Sequence, residues 1–478
     1  MRVAPRFIVA LLLSVSSLQA ADRPNVVFII SDDLGAQSLG CYGNAQCKTP
    51  SIDGLAARGI RFTRTYTQYP VCGPSRAALM SGMYAQVIGV TSNGHSDRFT
   101  KNLGERPSMS QHFMSHGYYA ARVSKIYHMR VPGDITAGVD GPDHAASWTE
   151  RFNCHAPEQW TDGKHEHLSK GRLKPDPKRS IHYGLGYGGA FYVVRGSSDG
   201  AEQADHKAAS KAVELLEQRA KDGKPFFLAV GLVRPHVPLV APASFFDAYE
   251  AEKMKLPRLL KDDWKDIPKS ALGGSSKARG LDTKLKKQKV LEAYYASVTY
   301  MDVQVGKIIS AIDRLKLRDD TIVVFTADHG YHLGEKDLWQ KMHLHDESTR
   351  IPLIVDVPGR KASESSALSQ QIDIYPTLSE LCGLPVPKHV QGKSLVPALS
   401  DSGAVIHESV YCLRGSGDHL LRTDRWAYIT YGNGRNGTEL YDMKNDPRQE
   451  VNLTKDKKFA AVVKDMQAKL DAKLKSMK

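Results

Sequence analysis

Cysteine is scarce: there are six in 478 residues, at positions 41, 47, 72, 154, 382 and 412. So few, spread so widely, exclude a disulfide scaffold and leave isolated pairings open, Cys41 with Cys47 or Cys382 with Cys412. Acidic residues are in deficit, with 52 Asp and Glu against 65 Lys and Arg, a net charge of +13. A basic surface suits polyanions, and these include sulfated polysaccharides as well as nucleic acid. The runs "KARGLDTKLKKQK" (277–289) and "KLDAKLKSMK" (469–478) interleave no aromatics. They read as solvated surface, and nucleic acid is not the expected partner. Long apolar runs are missing except for one. "FIVALLLSVSSL" follows Arg2 and Arg6 and precedes Ala20 and Ala21. It is too short to span a bilayer and reads as a signal peptide over residues 1–21, on an exported, soluble chain. No internal repeat is present.

What remains alternates strand with helix. "NVVFII" (25–30) is a buried strand bounded by Pro24 and Asp32, and "TIVVFTADHG" (321–330) and "IPLIVDV" (351–357) hold others. Helical spacing marks 51–59, with Ser51 as its cap, then 108–117, 202–220 and 287–315. Strands are expected at 118–124 and 225–233. This alternation gives an α/β fold with a mostly parallel central sheet sandwiched by helices. Residues 151–200 read as a long insertion with little periodicity, suited to substrate contacts. Past about residue 397 short strands and a basic helix predict a smaller C-terminal α+β subdomain. The expected division is a catalytic domain over 22–397 and a C-terminal subdomain over 398–478.

Asp32 and Asp33 follow the first strand, and Asp328 and His329 follow the strand at 321–327. Sites in open α/β sheets form at the carboxyl ends of strands, so the two acidic pairs can meet there. Carboxylates gathered at one point repel each other, and a hard divalent cation, Ca²⁺ before Mg²⁺, relieves that. "VCGPSRAALMSG" (71–82) puts Cys72 at the start of a helix opened by Pro74. Arg76 lies one turn on, so helix N–H groups and a guanidinium share a face with the cysteine. An unprotected reactive thiol fits poorly with export to an oxidising compartment.

The form C-x-P-S-R-A-x-L-x-S-G, Cys72 to Gly82, resembles the signature of the formylglycine-dependent sulfatases of the alkaline-phosphatase-like superfamily. "PNVVFIISDDLG", "SKIYH", "RPHVP", "ADHGYHLGE", "RIPLIV", "QIDIYPTL" and "ELYDMKNDP" extend the resemblance over almost the whole chain. "SKIYH" and "RPHVP" are most similar to the iduronate-2-sulfatase branch. The resemblance implies hydrolysis of sulfate monoesters on sugars of a sulfated polysaccharide. It implies a formylglycine made from Cys72 by a separate maturation enzyme, whose hydrated aldehyde supplies one hydroxyl to attack sulfur and another to expel sulfate. It also implies metal ligands at Asp32, Asp33, Cys72, Asp328 and His329. Arg76 would hold the hydrated aldehyde, and Lys125 and His128 would sit at the nucleophile and sulfate. His236 and Lys341 would bind sulfate or assist the leaving oxygen. Candidate sugar contacts are His95, Arg98, His182, His343, His345 and Arg414. The alternatives are a phosphonate or phosphate ester hydrolase of the same superfamily, and an inactive protein that binds sulfated glycans.

Overall fold

A computed structural model describes residues 23–170, 173, 187–261 and 263–477. The expected signal peptide and His182 lie outside the described residues. A nine-stranded sheet forms the centre. Its strands are β1 (Asn25–Asp32), β2 (Ile60–Tyr66), β3 (Tyr119–Ser124), β4 (Glu150–Phe152), β5 (Phe226–Pro235), β6 (Thr321–Ala327), β7 (Arg350–Asp356), β8 (Ser363–Ser365) and β9 (Ser369–Gln370). The order is β8-β2-β7-β6-β1-β5-β3-β4, with β9 also pairing β2. All pairs are parallel except those of β7, which is antiparallel to β2 and β6. The fold is therefore the expected mostly parallel α/β sandwich.

Strand β1 shows why its run has no polar interior position: both faces are covered. Val27 and Ile29 face one core with Ala208, Leu215, Val298 and Val305 from the helices Ala204–Asp222 and Lys284–Arg314. Val26, Phe28 and Ile30 face the other, with Leu79, Phe113 and Leu378 from three further helices. Each such fully buried aliphatic or aromatic side chain contributes about 1.5–3 kcal/mol.

Three findings amend the sequence reading. All six cysteines are free. Cys382 packs in the core beside β1, its thiol 3.7 Å from the Pro24 carbonyl, whereas Cys412 lies inside the C-terminal sheet. The first helix spans Pro50–Ala56 with Thr49, not Ser51, at its N-cap. Proline at its first position explains this, because it needs no N–H partner. The 151–200 region is partly β-structured. Its strands Gly163–His167 and Tyr192–Gly196 join Leu239–Pro242 in a three-stranded sheet. That sheet ties the insertion to the chain just past His236.

The C-terminal part is a four-stranded antiparallel sheet (Ser409–Arg414, Asp418–Thr423, Trp426–Thr430, Thr438–Asp442) covered by the helix Ala460–Ser476. Met466 and Leu470 of that helix pack on Tyr411, Leu413, Leu421 and Tyr428. No helix among the described residues is long and apolar enough to cross a membrane.

Candidate active site

Four neighbouring parallel strands end at the same edge, and each hands over a charged or titratable residue. Asp32 and Asp33 close β1, Lys125 follows β3, His236 follows β5 and Asp328 follows β6. Close approach is possible because Gly231 has no side chain: a Cβ there would fall 2.0 Å from the Lys125 carbonyl oxygen. Asp33 is held at φ 65°, a conformation that costs a non-glycine residue about 1–3 kcal/mol. The Tyr294 hydroxyl, 2.7 Å from the Asp33 carbonyl, secures it.

Cys72 opens the helix Cys72–Ser81, whose ten residues are all buried. Its N-cap, Val71, offers no side-chain acceptor; instead the Gly73 N–H donates to Asn93 Oδ1 at 2.9 Å, so the first turn is capped from a neighbouring loop. The thiol sulfur lies 3.2 Å from Lys341 Nζ, 3.3 Å from His329 Nε2 and 3.7 Å from Asp33 Oδ1. Burial, with Asp32 adding to it, pushes the thiol well above its usual pKa despite Lys341 and Lys125.

The cations are distributed over the carboxylates. Arg76 is fully buried; its Nε donates to Asp328 Oδ2 (2.9 Å) and a terminal nitrogen to Asp32 Oδ1 (3.4 Å). Its other donors hold the Lys125 and Ile126 carbonyls. Arg76 thus ties Asp32 and Asp328 together beneath Cys72. Lys125 Nζ bonds Asp32 Oδ2, and Lys341 Nζ lies 2.6 Å from Asp33 Oδ1. His236 Nε2 stands 3.8 Å from Asp33 Oδ2, and burial lowers its pKa to about 4. His128 is buried with Nδ1 unpartnered, and its pKa is held well below the ordinary value by burial and by Lys125. Burial raises Asp328, whereas Asp32 and Asp33 stay below the usual carboxylate range: their cationic neighbours overcome burial, with Lys125 and His236 leading.

Supporting residues that the motifs did not single out complete the arrangement. Ser75 Oγ and Gln371 Nε2 both donate to the Asp328 carbonyl, at 2.5 and 3.2 Å. Behind His236, Arg234 donates to the His236 and Pro238 carbonyls, both at 3.2 Å, and pairs with Glu158 at 2.6 Å. Ser31 Oγ holds the Arg234 carbonyl, and Asp205 accepts from the Val233 and Arg234 N–H groups. Glu158 belongs to the 151–200 insertion, yet it braces the His236 loop. Glu158→Gln leaves a buried guanidinium without its counterion, which costs about 3–5 kcal/mol. Displacing a site group by about 1 Å costs about 10²-fold in rate. Melting curves and steady-state kinetics should therefore show a lower melting temperature and a fall in kcat larger than any change in KM.

Donor atoms from Asp32, Asp33, Cys72 and His329 lie within 4.8 Å of one another. Asp33 Oδ2 is buried with no hydrogen-bond partner. Asp328 Oδ1 stands 3.7 Å from His329 Nε2, outside the tightest group. A cluster of carboxylates with an orphaned oxygen fits a divalent cation. The remaining candidates separate. His345 is fully buried on Glu439 at 2.8 Å and is a packing group, not a sugar contact. Arg414 pairs with Asp418. His343 is buried against His332, His95 is half-buried beside Thr91, and Arg98 is exposed.

The Sulfatase family model matches residues 24–384, and the model for the C-terminal part of N-sulphoglucosamine sulphohydrolase matches 334–476. Human iduronate 2-sulfatase is 31% identical over 420 residues, covering 79% of this chain and 72% of that protein. A sulfatase of Formosa agariphila is 29% identical, covering 94% of this chain and 86% of that protein. The phosphonate monoester hydrolase of Silicibacter pomeroyi is similar in fold, with TM-score 0.75 at 21% identity, covering 95% and 96% of the two chains. With the family model spanning the sheet and every residue of the acidic and cationic cluster, the chain belongs to the sulfatase family and is a sulfuric ester hydrolase.

Proposed function

We propose that this protein is an exported enzyme that hydrolyses sulfate monoesters on sugars of a sulfated polysaccharide or its oligosaccharides. One observation carries the reading: Cys72, Lys341, His329 and Asp33 converge within 3.7 Å inside a sulfatase chain. A sugar substrate is supported by the name of the human relative and by the net charge of +13. We further infer that a maturation enzyme converts Cys72 to formylglycine. Asp32, Asp33, Asp328 and His329, with the modified residue 72 as a further ligand, are proposed to hold one divalent cation, Ca²⁺ given the oxygen-rich donors. When present, the hydrated aldehyde supplies an oxygen nucleophile and the cation offsets negative charge.

The chain's own groups do the rest. Lys125 and Lys341 place fixed positive charge where the non-bridging sulfate oxygens gather, so charge developing there meets donors already in position. His128 adds a ring nitrogen, and His236 is assigned to sulfate binding or to assisting the leaving oxygen. Residues 22–397 are proposed as the catalytic domain and 398–478 as the subdomain behind it. Parallel assays on sulfated sugars, a phosphonate ester and a phosphate ester test the reading, and turnover of the phosphonate alone would overturn it. Lys341→Ala or His236→Ala should lower kcat by about 10²–10³-fold on each of two sulfated sugars. A change confined to sugar preference at full kcat would remove both residues from the sulfate pocket.

A further inference from the structure

Backbone strain gathers around Lys341. Of the ten non-glycine residues with positive φ among the described residues, four lie within 336–342: Lys336 (54°), Asp337 (56°), Gln340 (72°) and Met342 (76°). Left-handed backbone costs a non-glycine residue free energy and persists only where the surroundings enforce it. Two of the four flank Lys341 directly. The Gln340 side chain is buried and donates to the Gly189 carbonyl at 2.9 Å. The Met342 side chain is exposed, so at that position the segment is fixed through its backbone.

The Met342 N–H donates to the Pro70 carbonyl at 3.3 Å, two residues before Cys72, and its carbonyl accepts from a terminal nitrogen of Arg414 at 3.0 Å. Arg414 closes the strand Ser409–Arg414 of the C-terminal sheet. Its other bonds leave it little freedom. Nε and the second terminal nitrogen reach Asp418 Oδ2 at 2.9 and 2.7 Å, and that terminal nitrogen also holds the Ser270 carbonyl at 3.0 Å. The guanidinium lies 5.2 Å over the Tyr431 ring. A fork so committed acts on the protein rather than on a sugar. The same strand end grips the approach to Cys72. Leu413 N–H donates to the Gln68 carbonyl at 3.0 Å, and Gly415 N–H to the Tyr69 hydroxyl at 2.7 Å. Lys341 Nζ and Cys72 Sγ, 3.2 Å apart, are thus both mounted on one end of the C-terminal sheet.

We propose that Arg414 is a positioning residue: it holds the left-handed Met342 backbone and so sets the reach of Lys341 to residue 72 and the bound sulfate. The inference rests on the sulfate-ester reading above and deepens it, by giving the C-terminal subdomain a share in the rate.

A double-mutant cycle in the full-length enzyme tests this, with kinetics on two sulfated sugars at a temperature where melting curves show every variant folded. Arg414→Ala should lower kcat by about 10–100-fold on both sugars, with KM little changed. Added to Lys341→Ala, it should cost almost nothing more, because the group it positions is already gone. Arg414→Lys keeps the charge but cannot reach Met342, Ser270 and Asp418 together, so it should stay close to Arg414→Ala. If Arg414→Ala does not fold, the same cycle is run with Arg414→Lys. Losses that multiply in the double variant would overturn the positioning role and keep the sulfate-ester reading. So would full recovery by lysine, or a change confined to KM or to sugar preference. Turnover of neither sugar by the wild type would overturn both.

Discussion

Replacing Cys72 by alanine is expected to abolish sulfate release, with a loss of about 10⁴–10⁶-fold, the scale seen when an enzyme nucleophile is removed. Folding should be little affected, because the thiol makes no strong hydrogen bond: its nearest partners are at 3.2–3.7 Å. In active wild-type protein, mass spectrometry of the peptide spanning residue 72 should find sulfur lost and an aldehyde oxygen gained. Fully active enzyme with an intact thiol would remove the formylglycine assignment. In a host whose maturation enzyme needs cysteine, Cys72→Ser should be almost as inactive as Cys72→Ala, since an unconverted hydroxyl cannot form the geminal diol.

Asp328→Asn should cost metal, activity and stability together. Arg76 is fully buried, and Asp328 is its nearer carboxylate at 2.9 Å, with Asp32 at 3.4 Å. Removing the charged partner leaves a guanidinium that cannot reach water, a loss of about 3–5 kcal/mol. Relief of the repulsion between Asp32 and Asp328 works the other way. It is the smaller effect, because Asp32 keeps Lys125 and Arg76 on its two oxygens. Elemental analysis should find the stoichiometric divalent cation of the wild type depleted in the variant. A chelator should lower the melting temperature of the wild type and leave that of Asp328→Asn almost unchanged. Active wild-type protein without bound metal would refute the proposed site.

The parts of this arrangement that were legible in the sequence are those set by local pattern. An unbroken apolar run at 25–30 announces a strand buried on both faces, so acidic residues at its end must sit at an edge of the sheet. Pro74 ahead of Ala77, Ala78 and Leu79 likewise puts Cys72 at a helix start. The illegible parts depend on partners distant in the chain. Glu158 and Arg234 are 76 positions apart, and nothing in either neighbourhood marks the pair. The strand "GKHEH" carries no apolar alternation, because its order comes from pairing with Tyr192–Gly196. His345, chosen as a sugar contact for its chemistry, is consumed by Glu439 on a strand of another sheet.

The burial of Cys72 also sets an order of events. The residue is 1% exposed in the folded chain. Its covering depends on β1 meeting β6, and Asn25 and Thr321 in that pair are 296 positions apart. Most of the chain must exist before that pairing closes. Any enzyme that alters Cys72 has to reach it earlier, while "VCGPSRAALMSG" is still an open segment. The contacts that later hold residue 72 also close it off, so a chain that folds first has missed its chance.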